Sequence, residues 1–247
     1  MPKFFVDATA IKENKVSLTG DNFKHIKTVL RLTTGDKIII NDRQGNDYKC
    51  IIQTVGEDTV FATIEERQLI EVEPSVQTFL FQSLIKGEKM DWVIQKAVEI
   101  GVTEIIPIAT TRCVVKLENH KKIQTKVDRW SKIAEGAAKQ SGRSVIPKIH
   151  TPLPFKEAIA YAEKNGLESL IPYEKESEMI LKKFLQQPSV FKYGIFIGPE
   201  GGFTEEEILY AKEHGVQPLT LGKRILRSET ASLVTLATIM YEKGEME

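Results

Sequence analysis

The pattern of hydrophobic and polar residues changes at about residue 72. Before that point, hydrophobic residues occur in short runs rich in β-branched and aromatic side chains, with Gly- and Asp-containing turns between them. Such runs predict strands over 37–40, 47–52 and 59–64. One helix is predicted over 21–30, with Asp21 as its N-cap and with Phe23, Ile26, Val29 and Leu30 facing the core. Several short strands with one helix are typical of a small β-barrel.

After residue 72 the pattern alternates between buried strands and amphipathic helices. Apolar runs predict strands over 76–84, 103–109 and 168–171. Helices are predicted over 88–100 and 126–141, each with one apolar face. This alternation predicts an α/β domain with a parallel sheet. We place the boundary at Glu71-Val72-Glu73-Pro74-Ser75, so that residues 1–72 and 73–247 form separate domains.

The stretch 193–241 runs twice through strand, glycine-containing loop and helix. The strand 193–197 is followed by Gly198-Pro199-Glu200-Gly201-Gly202 and by a helix at Thr204, where Thr204 and Glu207 fit a capping box. A strand over 216–221, the loop 222–227 and a last helix over 228–241 follow. We expect the two loops to lie at the carboxyl ends of neighbouring strands, where open α/β sheets bind ligands.

Ordinary turns between strand and helix are the alternative interpretation of these loops. Three glycines in five residues, however, exceed what one turn needs, and extra glycines suggest backbone that passes close to something. Neither loop has the spacing of a P-loop or of the dinucleotide-binding fingerprint.

Composition and cysteine spacing argue against a membrane-spanning, secreted or metal-binding protein. Hydrophobic residues make up 41% of the chain and charged residues 28%, which is ordinary for a soluble protein. No apolar run is long enough to span a bilayer, and the N-terminus is unlike a signal peptide, so we expect a cytoplasmic protein. Cys50 and Cys113 have no Cys or His neighbour at ligand spacing, which predicts no metal site.

The formal net charge is zero, which argues against a general nucleic-acid-binding protein. Positive residues are nevertheless concentrated between 110 and 148. A local basic surface can bind phosphate whatever the total charge, and a solvated helix face is the alternative. The positive residues of this segment are Arg112, Lys116, Lys121, Lys122, Lys126, Arg129, Lys132, Lys139, Arg143 and Lys148.

Two motifs near the C-terminus resemble a known family. The first is Gly198-Pro199-Glu200-Gly201-Gly202-Phe203-Thr204 with Glu207. The second is Leu221-Gly222-Lys223-Arg224-Ile225-Leu226-Arg227-Ser228-Glu229-Thr230-Ala231. In this order they resemble the SPOUT-superfamily methyltransferases that modify N3 of a uridine in bacterial 16S ribosomal RNA. Further matches at 25, 29–31, 35–36, 91, 95–102 and 138–143 extend the resemblance over nearly the whole chain.

The resemblance implies both a fold and an activity. The family has a PUA-like RNA-binding β-barrel followed by an α/β domain with a C-terminal trefoil knot, and it forms homodimers. It uses S-adenosylmethionine as methyl donor and needs no metal. The expected partner is 16S ribosomal RNA or the small ribosomal subunit, and neither a membrane nor DNA. Apolar faces on the last helix and on 126–141 also favour a homodimer.

The resemblance also implies roles for individual residues. Arg227 is the candidate catalytic residue, because a guanidinium would stabilise the uridine anion; a salt bridge to Glu200 or Glu229 is its alternative role. We expect Ser228 to cap the last helix. RNA contacts are expected from Arg31, Lys132, Lys139 and Arg143. Cofactor contacts are expected from Gly198, Pro199, Glu200, Gly201, Gly202, Leu221, Gly222, Leu226 and Thr230.

Three other functions stay open at this point. The chain could be a SPOUT methyltransferase for another RNA such as transfer RNA, an RNA-binding protein with an inactive transferase domain, or a nucleotide-binding α/β enzyme unrelated to methylation. The N-terminal barrel favours ribosomal RNA by resemblance. The intact glycine loops argue against an inactive domain, and the missing phosphate motifs argue against the third function.

Overall fold

The structure is a computed structural model that describes residues 1–68, 72–115, 119–186 and 190–246. Internal contacts divide the chain into two compact units. The first combines Met1–Glu73 with Ala138–Ile146, and the second combines Pro74–Ala137 with Pro147–Glu247. The segment 138–146, which the sequence-based boundary assigns to the second domain, therefore belongs to the first unit. Glu71 of that boundary and Lys116 of the basic segment lie outside the described residues.

The first unit contains a six-stranded sheet with the order β1-β4-β5-β6-β3-β2. Pairing is antiparallel except between β1 and β4. Alternate residues of the strands are buried in one core, as the period of two in a strand requires. The predictions for the last three strands are confirmed, whereas the first three were not predicted. The strands are β1 (Lys3–Phe5), β2 (Ile11–Lys12), β3 (Lys15–Leu18), β4 (Lys37–Asn41), β5 (Asp47–Val55) and β6 (Val60–Gln68).

The helix of the first unit differs from its prediction. Helix α1 (Gly20–Lys24) has Thr19, not Asp21, at its N-cap and continues as a π-helical segment, His25–Leu30. Ile26 is buried, but Val29 and Leu30 are 67% and 38% exposed, so the prediction that both face the core was wrong. A π-helix fits more residues into each turn than an α-helix, which rotates the later residues away from the core.

The second unit is built on a parallel sheet with the order β10-β8-β7-β12-β11-β13, and β9 also pairs with β8. Every described pairing in it is parallel, which confirms the predicted α/β class. Its strands are β7 (Gln77–Ser83), β8 (Glu104–Ala109), β9 (Lys148–Ile149), β10 (Leu153–Pro154), β11 (Glu168–Pro172), β12 (Lys192–Ile197) and β13 (Gln217–Leu219).

The helices of the chain after residue 74 largely follow their predicted faces. The first of them buries the five predicted residues and ends at Gly101, which has φ 117°. Thr204 and Glu207 form the predicted capping box, whereas the two helices between 155 and 185 were not predicted. None of the helices in the described part of the chain is long and apolar enough to cross a membrane. They are α2 (Lys89–Ile100), α3 (His120–Ser141), α4 (Phe155–Lys164), α5 (Leu181–Leu185), α6 (Glu205–Glu213) and α7 (Ser228–Glu242).

The lateral order of the strands corrects one prediction about the glycine loops. These loops follow β12 and β13, which are not neighbours, because β11 pairs with both and lies between them. After α6 the chain crosses over β11 before it forms β13. The residues that follow β11 therefore lie between the two loops at the same edge of the sheet.

Candidate functional site

Three loops at the carboxyl edge of the parallel sheet enclose a pocket of about 600 Å³. They follow β11, β12 and β13, and Lys89 of α2 and Ala231 of α7 complete the wall. The loops contribute residues 172–174, 198–203 and 220–229. The sequence analysis singled out the second and third loops. It missed Pro172, Tyr173 and Glu174 as site residues, because only the position of β11 in the sheet brings them there.

Each glycine of the first glycine loop, 198–202, is needed for a different structural reason. A Cβ on Gly198 would lie 3.1 Å from the ring of Phe203, which is buried in the core. A Cβ on Gly201 would lie 3.2 Å from Cβ of Arg112. Gly202 has φ 68° and closes a turn by donating its N–H to Pro199 O over 2.9 Å. The backbone of this loop does pass close to other groups, as expected. At Gly198 and Gly201, however, those groups are side chains of the protein itself.

Residues that follow β8 support this loop from behind. The Arg112 guanidinium donates to Gly201 O at 2.8 Å and to Phe203 O at 3.2 Å. Glu207 Oε1 accepts from the N–H and the hydroxyl of Thr111, while its Oε2 accepts from Thr204 N. The capping box of α6 is thus joined to the end of β8. Arg112 had been noted only as part of a basic segment.

Glu200 stabilises the loop on its other side. Its Oε1 accepts a hydrogen bond of 3.1 Å from the N–H of Lys86, which follows β7. Glu174, in the loop that follows β11, is exposed. Its carboxylate lies 3.5 Å from the position that a Cβ on Gly202 would occupy. Glu174 forms no hydrogen bond or salt bridge within the described ranges.

The second glycine loop leads into the start of α7. Gly222 has φ 108° and donates its N–H to the Thr220 hydroxyl at 3.2 Å. Arg227 is the N-cap residue of α7 and has no side-chain capping hydrogen bond. Its guanidinium is exposed and forms no hydrogen bond or salt bridge with any residue that the structure describes. The alternative role of Arg227, a salt bridge to Glu200 or Glu229, is therefore not observed.

The prediction that Ser228 caps α7 was wrong. Ser228 is the first residue inside the helix, and its hydroxyl donates to Gly198 O at 2.5 Å. The Ser228 side chain therefore connects the last helix to the first glycine loop.

A carboxylate next to Arg227 is held in its charged form. Glu229 forms a salt bridge of 3.1 Å to Lys89. Burial by itself would raise the pKa of Glu229, but the helix N-terminal N–H, Lys89 and the charge of Arg227 together lower it. Of the predicted cofactor residues, all of which are described, Thr230 does not line the pocket.

The predicted RNA-contact residues lie in different surroundings. Arg31 in the first unit is exposed and has φ 53°, and Lys132 on α3 in the second unit is exposed. Lys139 is half-buried, and its Nζ lies 5.9 Å from the ring centroid of Phe5. Arg129, which is on α3 like Lys132, forms a salt bridge with Asp91 of α2.

Arg143 is buried in the first unit and pairs with Glu73, with Nη2 2.6 Å from Oε2. Burial alone would raise the pKa of Glu73, but the hydrogen bonds and charge of Arg143 and the N–H groups of Val145 and Ser144 lower it below its usual value. This burial and pairing do not favour the expected contact of Arg143 with RNA phosphate.

Lys3 of the first unit has a similar internal role. Its Nζ lies 2.5 Å from Asp47 Oδ2 and donates to the carbonyl oxygens of Gly142 and Arg143 at 2.9 and 3.1 Å. Three acceptors match the three N–H groups of one ammonium. Within the described ranges, no group of three or more His, Cys, Asp or Glu side chains is placed to hold a metal ion.

Comparison with known proteins agrees with this architecture. The family described as "RNA methyltransferase domain" matches residues 72–240, and the family described as "RNA methyltransferase PUA domain" matches residues 18–65. The parallel sheet and its pocket therefore fall within the class of RNA methyltransferase domains, preceded by a PUA domain.

Individual relatives narrow this class. Ribosomal RNA small subunit methyltransferase E of Bacillus subtilis is 34% identical over 98% of this chain and 97% of its own length. The protein of that name from Mesomycoplasma hyopneumoniae is 36% identical over 96% of this chain and 97% of its length. The crystal structure of the Neisseria gonorrhoeae protein bound to S-adenosyl methionine has a TM-score of 0.87 at 30% identity, covering 98% of this chain and 97% of that one. The chain belongs to the family of ribosomal RNA small subunit methyltransferase E.

Proposed function

We propose that this protein transfers a methyl group from S-adenosylmethionine to N3 of a uridine in 16S ribosomal RNA. One observation carries the proposal: the two motifs that define the family resemblance form two walls of a single pocket at the carboxyl edge of the sheet. The volume of about 600 Å³ lies within the range of about 300–1,000 Å³ typical of small-molecule sites.

The residues present fit such a cofactor. S-adenosylmethionine carries a sulfonium, an ammonium and a carboxylate, and it supplies an electrophilic methyl group when bound. Glu174 and Glu200 contribute negative charge to the lining of the pocket, and Lys223 and Arg224 contribute positive charge. The backbone of the loops 198–202 and 221–226 provides N–H and C=O groups for an adenine edge.

The chain's own contribution to the chemistry is to position the uridine and to stabilise its anion. N3 of uridine is protonated at neutral pH, and removing a proton whose pKa lies about two units above pH 7 costs roughly 3 kcal/mol. Arg227 is exposed at the pocket, forms no hydrogen bond or salt bridge within the described residues, and precedes the N-terminal N–H groups of α7. Its charge would stabilise the anion that develops at the flanking carbonyl oxygens.

We propose RNA contacts from exposed residues of each unit separately. In the second unit, α3 exposes Lys121, Lys122, Lys126, Arg129 and Lys132. In the first unit, Arg31 and the apolar Val29 are both exposed. We also propose that the protein acts as a homodimer in the cytoplasm, as the family resemblance implies, and that its second unit carries the C-terminal knot.

Incubation with labelled S-adenosylmethionine tests this function. Purified small subunits, free 16S ribosomal RNA and transfer RNA are supplied separately, and the labelled nucleoside is identified after digestion. We expect N3-methyluridine from ribosomal RNA or subunits, and labelling that is roughly a hundredfold slower with an Arg227→Ala control. Label in transfer RNA alone would favour the other SPOUT activity. Tight RNA binding without label in any substrate would indicate an inactive transferase.

A further inference from the structure

A buried polar network joins Gln82, near the end of β7, to Ser228 in the wall of the pocket. Gln82 and Ser232 are fully buried, and Ser228 is 7% exposed. Burying an amide is costly unless its hydrogen bonds are made. Gln82 follows the apolar run Phe79-Leu80-Phe81 of β7 and is paired in register with Ile197, the residue before Gly198. An apolar residue would suffice there if only packing mattered.

The hydrogen bonds of this network lead from β7 to the first glycine loop, and the Ser232 hydroxyl has two acceptors, Gln82 Oε1 and Ser228 O. Gln82 Nε2 donates to Ser228 Oγ at 3.0 Å and to Ser83 O at 3.1 Å, and Gln82 Oε1 accepts from the Ser232 hydroxyl. Because Ser228 Oγ accepts from an amide N–H, its own hydrogen is free to be donated onward. It is donated to Gly198 O at 2.5 Å. The chain of donation therefore runs from β7 through α7 to the first glycine loop.

This connection spans parts of the chain that are distant in sequence. Gly198 begins the first glycine loop, and Ser228 directly follows Arg227, which ends the second. The Ser228–Gly198 bond thus holds the two loops together, and Gln82 fixes the direction of that bond from the neighbouring strand. Gln82 itself is not among the residues that line the pocket.

We propose that Gln82 is a positioning residue of the methyl-transfer site. Through Ser228 it sets the position of the Arg227-bearing start of α7 relative to the first glycine loop. The proposal rests on the proposed function for its kinetic consequence, but its structural consequence is independent of RNA and cofactor. Small displacements of a catalytic group can cost about a hundredfold in rate.

The test uses Gln82→Met, which keeps the length of the side chain but has neither amide group. Hydrogen exchange is measured on the full chain without cofactor. We expect the amides of 198–203 and 222–228 to exchange about tenfold faster, because the bond between the loops is no longer directed. Thr235→Val is the matched control: Thr235 is fully buried on the same helix, and its hydroxyl has no partner within the described part of the chain.

Single-turnover methylation provides the second measurement. We expect Gln82→Met and Ser228→Ala each to lower the rate between about tenfold and a hundredfold, with cofactor affinity reduced by less than the rate. In an Arg227→Ala background, Gln82→Met should have little further effect, since it acts through the position of Arg227. Thr235→Val should keep the wild-type rate.

Several results would overturn the proposal. One is unchanged exchange in both loops of a folded Gln82→Met protein, and another is a rate loss that is equally large with and without Arg227. If Gln82→Met does not fold, Ser228→Ala breaks the same connection and decides the question. If the wild-type protein methylates no RNA, the proposed function fails, and the exchange experiment still supports or refutes the link between the loops.

Discussion

Single residues of the first glycine loop show how the backbone shapes the pocket. Gly202 has φ 68°, a conformation that a β-branched residue tolerates poorly, and its side-chain position faces Glu174. We expect Gly202→Val to weaken cofactor binding at least about tenfold, at a strain cost of about 1–3 kcal/mol. Calorimetric titration with S-adenosylmethionine measures the affinity.

Gly215→Val is the matched control for that substitution. Gly215 has φ 78° and follows the C-terminus of α6, and nothing lies within 4 Å of its Cβ position. It should lose comparable stability and keep its cofactor affinity. If both variants bind the cofactor as the wild-type protein does, the loop 198–202 is not part of the site.

Arg227 is the second residue with a testable role. We expect Arg227→Ala to lower the single-turnover rate by roughly a hundredfold, as for the loss of one oxyanion-stabilising donor. Because the guanidinium is exposed and forms no hydrogen bond or salt bridge in the described structure, melting temperature and cofactor affinity should change little. Arg227→Lys should recover only part of the rate, since an ammonium lacks the planar fork. An undiminished rate in a folded Arg227→Ala protein would exclude the catalytic role.

Residue roles were predictable where they depend on local sequence. The Thr204–Glu207 capping box and the Gly101 C-cap involve groups within one helical turn, and both are observed. The partners of Ser228 and Arg143 lie 30 and 70 residues away. A sequence pattern does not reveal contacts between residues so far apart. Ser228 was therefore expected to be a helix cap, and Arg143 was expected to bind RNA phosphate.

At the scale of elements, α3 carries the prediction about RNA. Lys126 and Lys132 are exposed on this helix, whereas Lys139 also contacts Phe5 and is less suitable for mutation. We expect Lys126→Glu with Lys132→Glu to weaken RNA binding and to reduce the salt slope by about 0.7–0.9 per lost phosphate contact. Cofactor affinity should not change.

The control for α3 must alter net charge equally. Lys164 and Lys212 lie at the exposed ends of α4 and α6, so the control is Lys164→Glu with Lys212→Glu. This pair should leave RNA affinity nearly unchanged. Equal losses in both double variants would indicate a general charge effect, and no loss in either would mean that α3 is a solvated face.

The sequence pattern predicted most strands and helices, but not how they are ordered in space. The period of 3.6 in α2 correctly gave its five buried residues. The π-helical segment has no such signature, so Val29 and Leu30 were placed inward. The position of β11 between β12 and β13 depends on the order of the strands in the sheet, which no local pattern encodes. The pocket residues 172–174 that follow β11 were therefore not predicted.

The segment 138–146 is fixed to the first unit by an ion pair that titrates. The pKa of Glu73 is lowered in the folded protein, so its stabilising effect is complete above about pH 4.5, its ordinary value, and is lost as pH falls through the lower folded pKa. We expect Glu73→Gln to cost about 1–3 kcal/mol at pH 7. The difference from wild type should shrink in acid.

Urea unfolding at several pH values measures this effect. Glu66→Gln in the same unit is the control, because the Lys49–Glu66 pair is largely exposed and such pairs contribute about 0–1 kcal/mol. A Glu73→Gln deficit that stays constant down to pH 3 would show that the carboxylate charge is not responsible.

For the whole molecule, the structure changes the argument for a homodimer. The apolar face of α3 was expected to be available, but Val127 and Trp130 are buried within the chain. Helices α2 and α7, which pack against each other, instead expose Trp92 and Tyr241, 44% and 70% accessible. Large exposed aromatic residues are enriched at interfaces between proteins, so we expect the homodimer to use α2 and α7.

Sedimentation at micromolar concentration tests the assembly. The wild-type protein should sediment as a dimer, and Trp92→Lys with Tyr241→Lys should weaken association by at least about a hundredfold, because truncating central aromatic contacts commonly costs 2 kcal/mol or more. Phe191→Lys is the control, since Phe191 is also exposed but precedes β12. A wild-type monomer would refute the dimer, and a dimer that persists in the double variant would place its interface elsewhere on the chain.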